Sequence, residues 1–395
     1  MARLGGRLGA GLAALALAGS AGCSSAASIA GHHPPASTGS TPTRAGPPRS
    51  TEPAGPGTAT PSSPGAGRAA APVLGAVRSR TEAVTDVAWL TMTGRWVGFA
   101  ANARHHPERL PRSIYDLDLA TGRLSRLWTT EYPHGFVQWA SAGDGWLVWT
   151  DQSVLQHAMT QPVQWAVWAA DLATDRVVRV AVSRPAGSPV TPGPVVGDGR
   201  VVWDDYLGLR VRAADVWVYN LRTGARRLLM HRIAGGGQKA IVAHQLVYAL
   251  SPSAYLRKPE DWVMARPLDG GLARKVSRDS AAIDLSAADG AVGWQEPITG
   301  DPKRLMADSL RPGSTPYRLV GPSLGHLELA DGFATYLDRQ DRYRLVAVEP
   351  DARSSLLPES ARSVAVSGHR VAWFSIPQQG WRTHSSFSVA TVTTR

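Results

Sequence analysis

A chain of 395 residues with 42 Lys and Arg against 31 Asp and Glu carries a formal charge of +11, and 43% of it is hydrophobic. Its single cysteine excludes a disulfide framework within one chain, so any folded domain has to be held together by apolar burial.

In chain order the first element is a targeting segment. Arg3 and Arg7 make a basic start, and Leu8 to Leu17 is apolar but too short to span a bilayer. Small residues Gly19-Ser20-Ala21-Gly22 then precede the lone Cys23. This arrangement resembles the lipobox of bacterial lipoproteins, in which the cysteine becomes the first residue of the mature chain and carries the lipid. The resemblance implies a lipoprotein signal peptide over 1–22, lipidation of Cys23, and an extracytoplasmic protein lipid-anchored to the bacterial cell membrane.

Residues 23–72 are rich in Pro, Ser, Thr, Ala and Gly, with almost no large apolar side chain. Such a segment buries too little surface to offset its ordering entropy and reads as a disordered tether. A flexible chain of that length has an end-to-end distance of roughly 35–45 Å.

From residue 73 to 395 a cassette recurs: a tight turn, apolar residues, then an aromatic. It reads Arg95-Trp96-Val97-Gly98-Phe99, Gly145-Trp146-Leu147-Val148-Trp149, Gly199-Arg200-Val201-Val202-Trp203 and His244-Gln245-Leu246-Val247-Tyr248. Gly290-Ala291-Val292-Gly293-Trp294, Gly332-Phe333-Ala334-Thr335-Tyr336 and His369-Arg370-Val371-Ala372-Trp373 follow. The steps between aromatics are 50, 54, 45, 46, 42 and 37 residues. Short strands repeating at that period predict an all-β chain, a β-propeller of seven four-stranded blades, with six or eight as the other counts considered.

Asp144-Gly145, Asp198-Gly199, Asp289-Gly290 and Asp331-Gly332 are hairpin turn signals between first and second strands. Ala243-His244 replaces that turn in the degenerate fourth unit. Third strands alternate, as in Val216-Trp217-Val218-Tyr219, and end in turns such as Ala120-Thr121-Gly122. The seventh unit stops one strand short. Val73-Leu74-Gly75-Ala76-Val77-Arg78-Ser79-Arg80 looks like the fourth strands, and pairing it beside the C-terminal strand would close the ring and cover an open edge. The recurrent Asp-Leu-Ala-Thr-Gly type of ending, as at Asp118 to Gly122, resembles the TolB-like (WD40-like) bacterial β-propellers. The resemblance covers residues 73–395. That type usually has six blades and a separate N-terminal domain, where this chain shows seven units and a tether.

The loops between second and third strands are long and varied, which marks one face as the binding surface. Acidic residues recur where the second strand enters them: Asp151, Asp204, Asp205, Glu296 and Asp338. Pointed inward, they would form a carboxylate ring able to hold Ca²⁺ or a cationic ligand group; pointed outward, they are solvated strand ends. His105-His106 and the basic cluster Arg222, Arg226 and Arg227 read as exposed charges on loops and turns.

Enzyme signatures are missing: there is no Gly-x-Ser-x-Gly elbow, no His-Glu-x-x-His and no P-loop. With Arg3 and Arg7 in the signal, and Arg44, Arg49 and Arg68 against Glu52 in the tether, the repeats keep about +7. Behind an export signal, that charge points away from nucleic acid and toward anionic lipid heads or anionic wall polymers. The expectation is a monomeric envelope propeller, without a required cofactor, that binds a protein or polymer. The alternative is a propeller enzyme of lactonase, lyase or hydrolase type, metal-dependent or not, working through the acidic set.

Overall fold

The structure is a computed structural model. It describes residues 70–394 apart from 104–109, 154–161, 186, 189, 208–212, 235–237, 251–261, 278–282, 289, 297–302, 312–313, 315, 324, 351 and 376–383. His105 and His106 lie outside the described residues, as do the signal, Cys23 and the tether up to residue 69.

Seven antiparallel sheets follow one another along the chain. Blade 1 is built from strands Thr85–Thr93, Trp96–Asn102, Ser113–Asp118 and Leu124–Thr129, and blades 2 to 6 repeat the same order. Blade 7 takes Ala361–Ser367, Arg370–Ser375 and Ser385–Thr393 from the C-terminal end. Its outer strand comes from the N-terminal side: Val73–Leu74 pairs with Val392 and Thr393, and Arg78–Glu82 pairs with Ser385 to Val389. The ring is therefore closed by the strand the sequence offered for it. First strands of consecutive blades lie against each other all the way round, and that of blade 7 lies against that of blade 1. They form the inner ring.

The cassette is explained by the seams between blades. Strand side chains alternate, so each second strand presents one set to the preceding blade and the other to the following one. The aromatic always faces back. Phe99 packs in the seam between blades 7 and 1, Trp149 between 1 and 2, Trp203 between 2 and 3, and Tyr248 between 3 and 4. Trp294, Tyr336 and Trp373 fill the next three seams. Seven apolar clusters thus match seven seams, with one cassette aromatic in each. Gly98 is small for the same reason: a Cβ there would lie 2.6 Å from Leu147 of the next blade.

Asp144-Gly145 and Asp198-Gly199 have φ of 51° and 78°, and of 51° and 65°, the geometry of a type I′ hairpin turn. The aspartates do a second thing. The Asp144 carboxylate accepts from Gly199 N–H at 3.4 Å, and that of Asp198 from His244 N–H at 2.6 Å, so each turn is tied to the next blade's turn. Thr93 and Ser367 do the same with hydroxyls, to Gly145 N–H at 3.1 Å and Gly94 N–H at 2.9 Å. Ala243 and His244 keep the left-handed pair, at φ 49° and 58°, although neither residue favours it.

One buried group works against this packing. Asp116, on the third strand of blade 1, is 0% exposed, and among the described residues neither carboxylate oxygen has a hydrogen-bond partner from another group. Burial, and then the nearby Asp175, push its carboxyl up to about 6 from 3.8. The folded state therefore holds a proton that the unfolded state releases, and stability falls as pH rises from about 4 to about 6. Above that window Asp116→Asn should be the more stable protein, by up to about 3 kcal/mol, and near pH 3.5 the advantage should vanish. Urea unfolding of both proteins between pH 3.5 and 7.5 checks this, and a constant difference would contradict it.

Candidate functional site at the inner ring

Four of the five acidic candidates share one register, two residues after the cassette aromatic: Asp151, Asp205, Glu296 and Asp338. That position is on the same strand face as the aromatic, so each belongs to the seam with the preceding blade. Asp151 is fully buried and accepts from the Thr130 hydroxyl, from Glu131 N–H at 3.2 Å and from Trp128 Nε1 at 3.4 Å, all from the outer edge of blade 1. Burial raises its carboxyl above the ordinary range despite those donors. Asp205 is half-buried, 3.6 Å from Arg184 of the preceding blade, and burial raises its carboxyl too. Glu296 accepts from Trp294 Nε1 at 3.0 Å.

Asp338 caps its own loop. It accepts from Arg344 Nε at 2.7 Å, from Gln340 N–H at 2.9 Å and from Arg342 N–H at 3.1 Å. Burial pulls its carboxyl up, but these donors outweigh burial and hold it below the ordinary range. Asp204 sits one residue earlier in register and faces forward, where Lys239 Nζ of blade 4 meets it at 2.6 Å. The five are thus distributed over separate seams and engaged there. Among the described residues no group of three His, Cys, Asp or Glu converges as a metal site. In the basic cluster, Arg226 stacks on Trp217 within blade 3 at 4.9 Å.

A different set of residues comes together on the inner ring. In blades 1, 2, 5 and 6 the first strand pairs with the residue just after the cassette aromatic: Ala88 with Ala100, Gln138 with Thr150, Ile283 with Gln295, and Gly325 with Leu337. A β-bulge follows in every case. The next residue is left-handed: Trp89 at φ 54°, Trp139 at 56°, Asp284 at 50° and His326 at 59°. None is glycine, and a left-handed bulky residue costs about 1–3 kcal/mol. Such bulges re-aim side chains and gather next to binding sites.

The set falls into two runs, over blades 1 to 3 and blades 4 to 6. Trp89 and Trp139 of adjacent blades meet with ring centroids 4.8 Å apart. The Trp139 ring lies over Gly193 of blade 3, whose Cβ would be 3.8 Å from it. Gln238 of blade 4 stands at the same level, accepting at its backbone carbonyl from Ala249 N–H at 3.0 Å. Its side chain donates to Asp284 at 3.0 Å and accepts from Leu285 N–H, and the second Asp284 oxygen accepts from His326 N–H at 3.2 Å. All of these side chains are half-buried. One arc of the ring is aromatic and the other is amide, carboxylate and imidazole, which suits a ligand with one apolar face and one hydrogen-bonding edge. Two residues beyond His326, burial pushes the half-buried Glu328 carboxyl up to about 8 even though Val366 N–H donates to it.

Sequence reasoning missed this set because it followed the second strands. A signal was present in Trp89, Trp139 and His326, large residues in first strands that the cassette does not use.

No protein-family model matches the chain, and neither does any curated protein. Solved structures do match in fold. The β-propeller domain of the Trilobed protease from Pyrococcus furiosus, described as having an open velcro topology, superposes with a TM-score of 0.53 at 8% identity, over 78% of this chain and 94% of that one. Oligogalacturonate lyase from Vibrio parahaemolyticus gives 0.50 at 10% identity, over 82% and 98%. TolB from Acinetobacter baumannii is also similar, at 0.42 and 9% identity, over 71% of this chain and 61% of TolB. Shared with the first two is the propeller fold.

Proposed function

We propose that this protein is a lipid-anchored propeller of the bacterial cell envelope that binds a protein or polymer partner at the mouth of its inner ring. The observation that supports this most is the aligned set of left-handed bulges at Trp89, Trp139, Asp284 and His326. Repeated at one level in four blades, the bulges place half-buried side chains on a common rim, where they also meet their neighbours in adjacent blades. Cys23 and the tether would hold that rim away from the membrane, and the basic balance would favour an anionic wall polymer or an acidic protein surface. A propeller enzyme is the second reading. Its support is Glu328, whose raised carboxyl would be a proton donor near neutral pH close to Tyr343, whose ring lies 5.5 Å from that of His326.

Cross-linking in intact cells, followed by purification of the tagged protein, tests the proposal. One dominant partner should be captured, and Trp89→Ala with Trp139→Ala should cut the yield at least tenfold while the melting profile stays cooperative. Cys23→Ser should move the protein out of the membrane fraction. Full capture by the double tryptophan variant would place the partner elsewhere on the propeller. Absence of any partner would favour the enzymatic reading.

A further inference from the structure

The seam that closes the ring differs from the other six. In those, the outer strand of a blade or the turn beside it adds apolar side chains to the cluster: Leu127 and Trp128, Val180, Leu229 and Met230, Val276, Leu319 and Leu357. The seam between blades 7 and 1 holds Val97, Phe99, Leu117, Phe374 and Phe387, with no residue from the closing strand itself; beyond its end only Val84 joins the cluster. That strand reads Arg78-Ser79-Arg80-Thr81-Glu82, exposed over its first four positions. A cavity of about 140 Å³ is left beneath it. Val97, Leu117, Leu119, Ala372, Phe387 and Val389 make its apolar floor, and Arg78, Ser79 and Arg80 form its rim.

The two arginines differ. Arg80 is engaged, donating to the Gly122 carbonyl and pairing with Glu82. Arg78 is exposed and, among the described residues, has neither an ion pair nor a side-chain hydrogen bond. A cavity of comparable volume lined by apolar side chains holds a ring of about six carbons. A guanidinium at the rim of such a floor selects a carboxylate head, because it matches that group with two parallel donors. We infer that the closing seam is a binding site for a small amphipathic anion, an alkyl or aryl chain of about six carbons ending in a carboxylate.

Hexanoate, hexanol and hexylammonium probe the site, with thermal unfolding and calorimetric titration of the whole chain as readouts. Hexanoate should raise the melting temperature in a concentration-dependent way, as any ligand of the folded state alone does. Hexanol and hexylammonium should bind at least tenfold more weakly. Arg78→Glu should weaken hexanoate at least tenfold without moving the melting temperature of the free protein, since Arg78 holds nothing in place. Leu119→Trp, which fills the floor, should abolish binding. The site is overturned if hexanoate gives no shift, if hexylammonium binds equally well, or if hexanoate binds Arg78→Glu as tightly as the parent. Should Leu119→Trp not fold, the charge reversal decides alone.

Discussion

Replacing Lys239 with Met is expected to cost about 3–5 kcal/mol of folding stability. Lys239 and Asp204 join blades 3 and 4 at 2.6 Å, with their side chains only 7% and 4% exposed. Two charges brought that far out of water are tolerable only together. Removing the ammonium strands a carboxylate that is 4% exposed and, among the described residues, has no other ion pair. Removing both charges is a different change: Asp204→Leu with Lys239→Met should recover most of the loss, because an apolar pair of similar volume has no desolvation to offset. Urea unfolding of the parent, both single variants and the double variant measures this. A single-variant loss under about 1 kcal/mol would mean that the pair is hydrated, as surface pairs are. Asp204 would then be free for a ligand, as the second-strand acids were read in the sequence.

The second large effect belongs to Trp149. It is 0% exposed and anchors the seam between blades 1 and 2, beside Trp128 at a centroid distance of 6.3 Å. Trp149→Ala should cost about 3–5 kcal/mol, from lost transfer free energy plus a cavity that the flanking strands cannot close. Trp149→Phe should cost much less. The indole N–H of Trp149 is buried without an acceptor among the described residues, so the phenyl ring sheds an unmade hydrogen bond along with some volume. Chemical denaturation of both variants orders them, and equal losses would show that the N–H has a partner in solution.

These two positions also show how far the sequence could be read. Trp149 was conspicuous because its role recurs: every blade needs a large side chain facing back at the same register, so the aromatic returns with the period of the fold. The closing strand was legible for a related reason, since a unit short of one strand requires it. Asp204 and Asp205 were visible as acids, but the sense of the alternation that sends one forward and the other back is fixed only by the twist and docking of whole blades. Trp89, Trp139 and His326 stand out only as large residues in first strands; their left-handed backbone is not signalled, because Gly or Asn would mark it and these residues are neither. Ala243 and His244 show the converse. Their turn looked degenerate, yet the twist of the flanking strands imposes the same left-handed pair that Asp-Gly adopts elsewhere.

The clasp also sets the order in which the molecule can be assembled. Six of the seven sheets are made from neighbouring stretches of chain, whereas the last joins partners such as Ser79 and Ser388, hydrogen-bonded at 2.8 Å across 309 residues. Six sheets can therefore form one after another as the polypeptide emerges, each waiting only for its own short hairpins. The final sheet has to wait until the Ser385–Thr393 strand has been made and then draws together the ends of a long loop, an entropic step that grows slowly with loop length but comes after every local contact has formed. Until then the edge of the Ser385–Thr393 strand stands open. The slowest phase of refolding should belong to this event, and a late nascent chain should carry an exposed strand ready to pair with a neighbour.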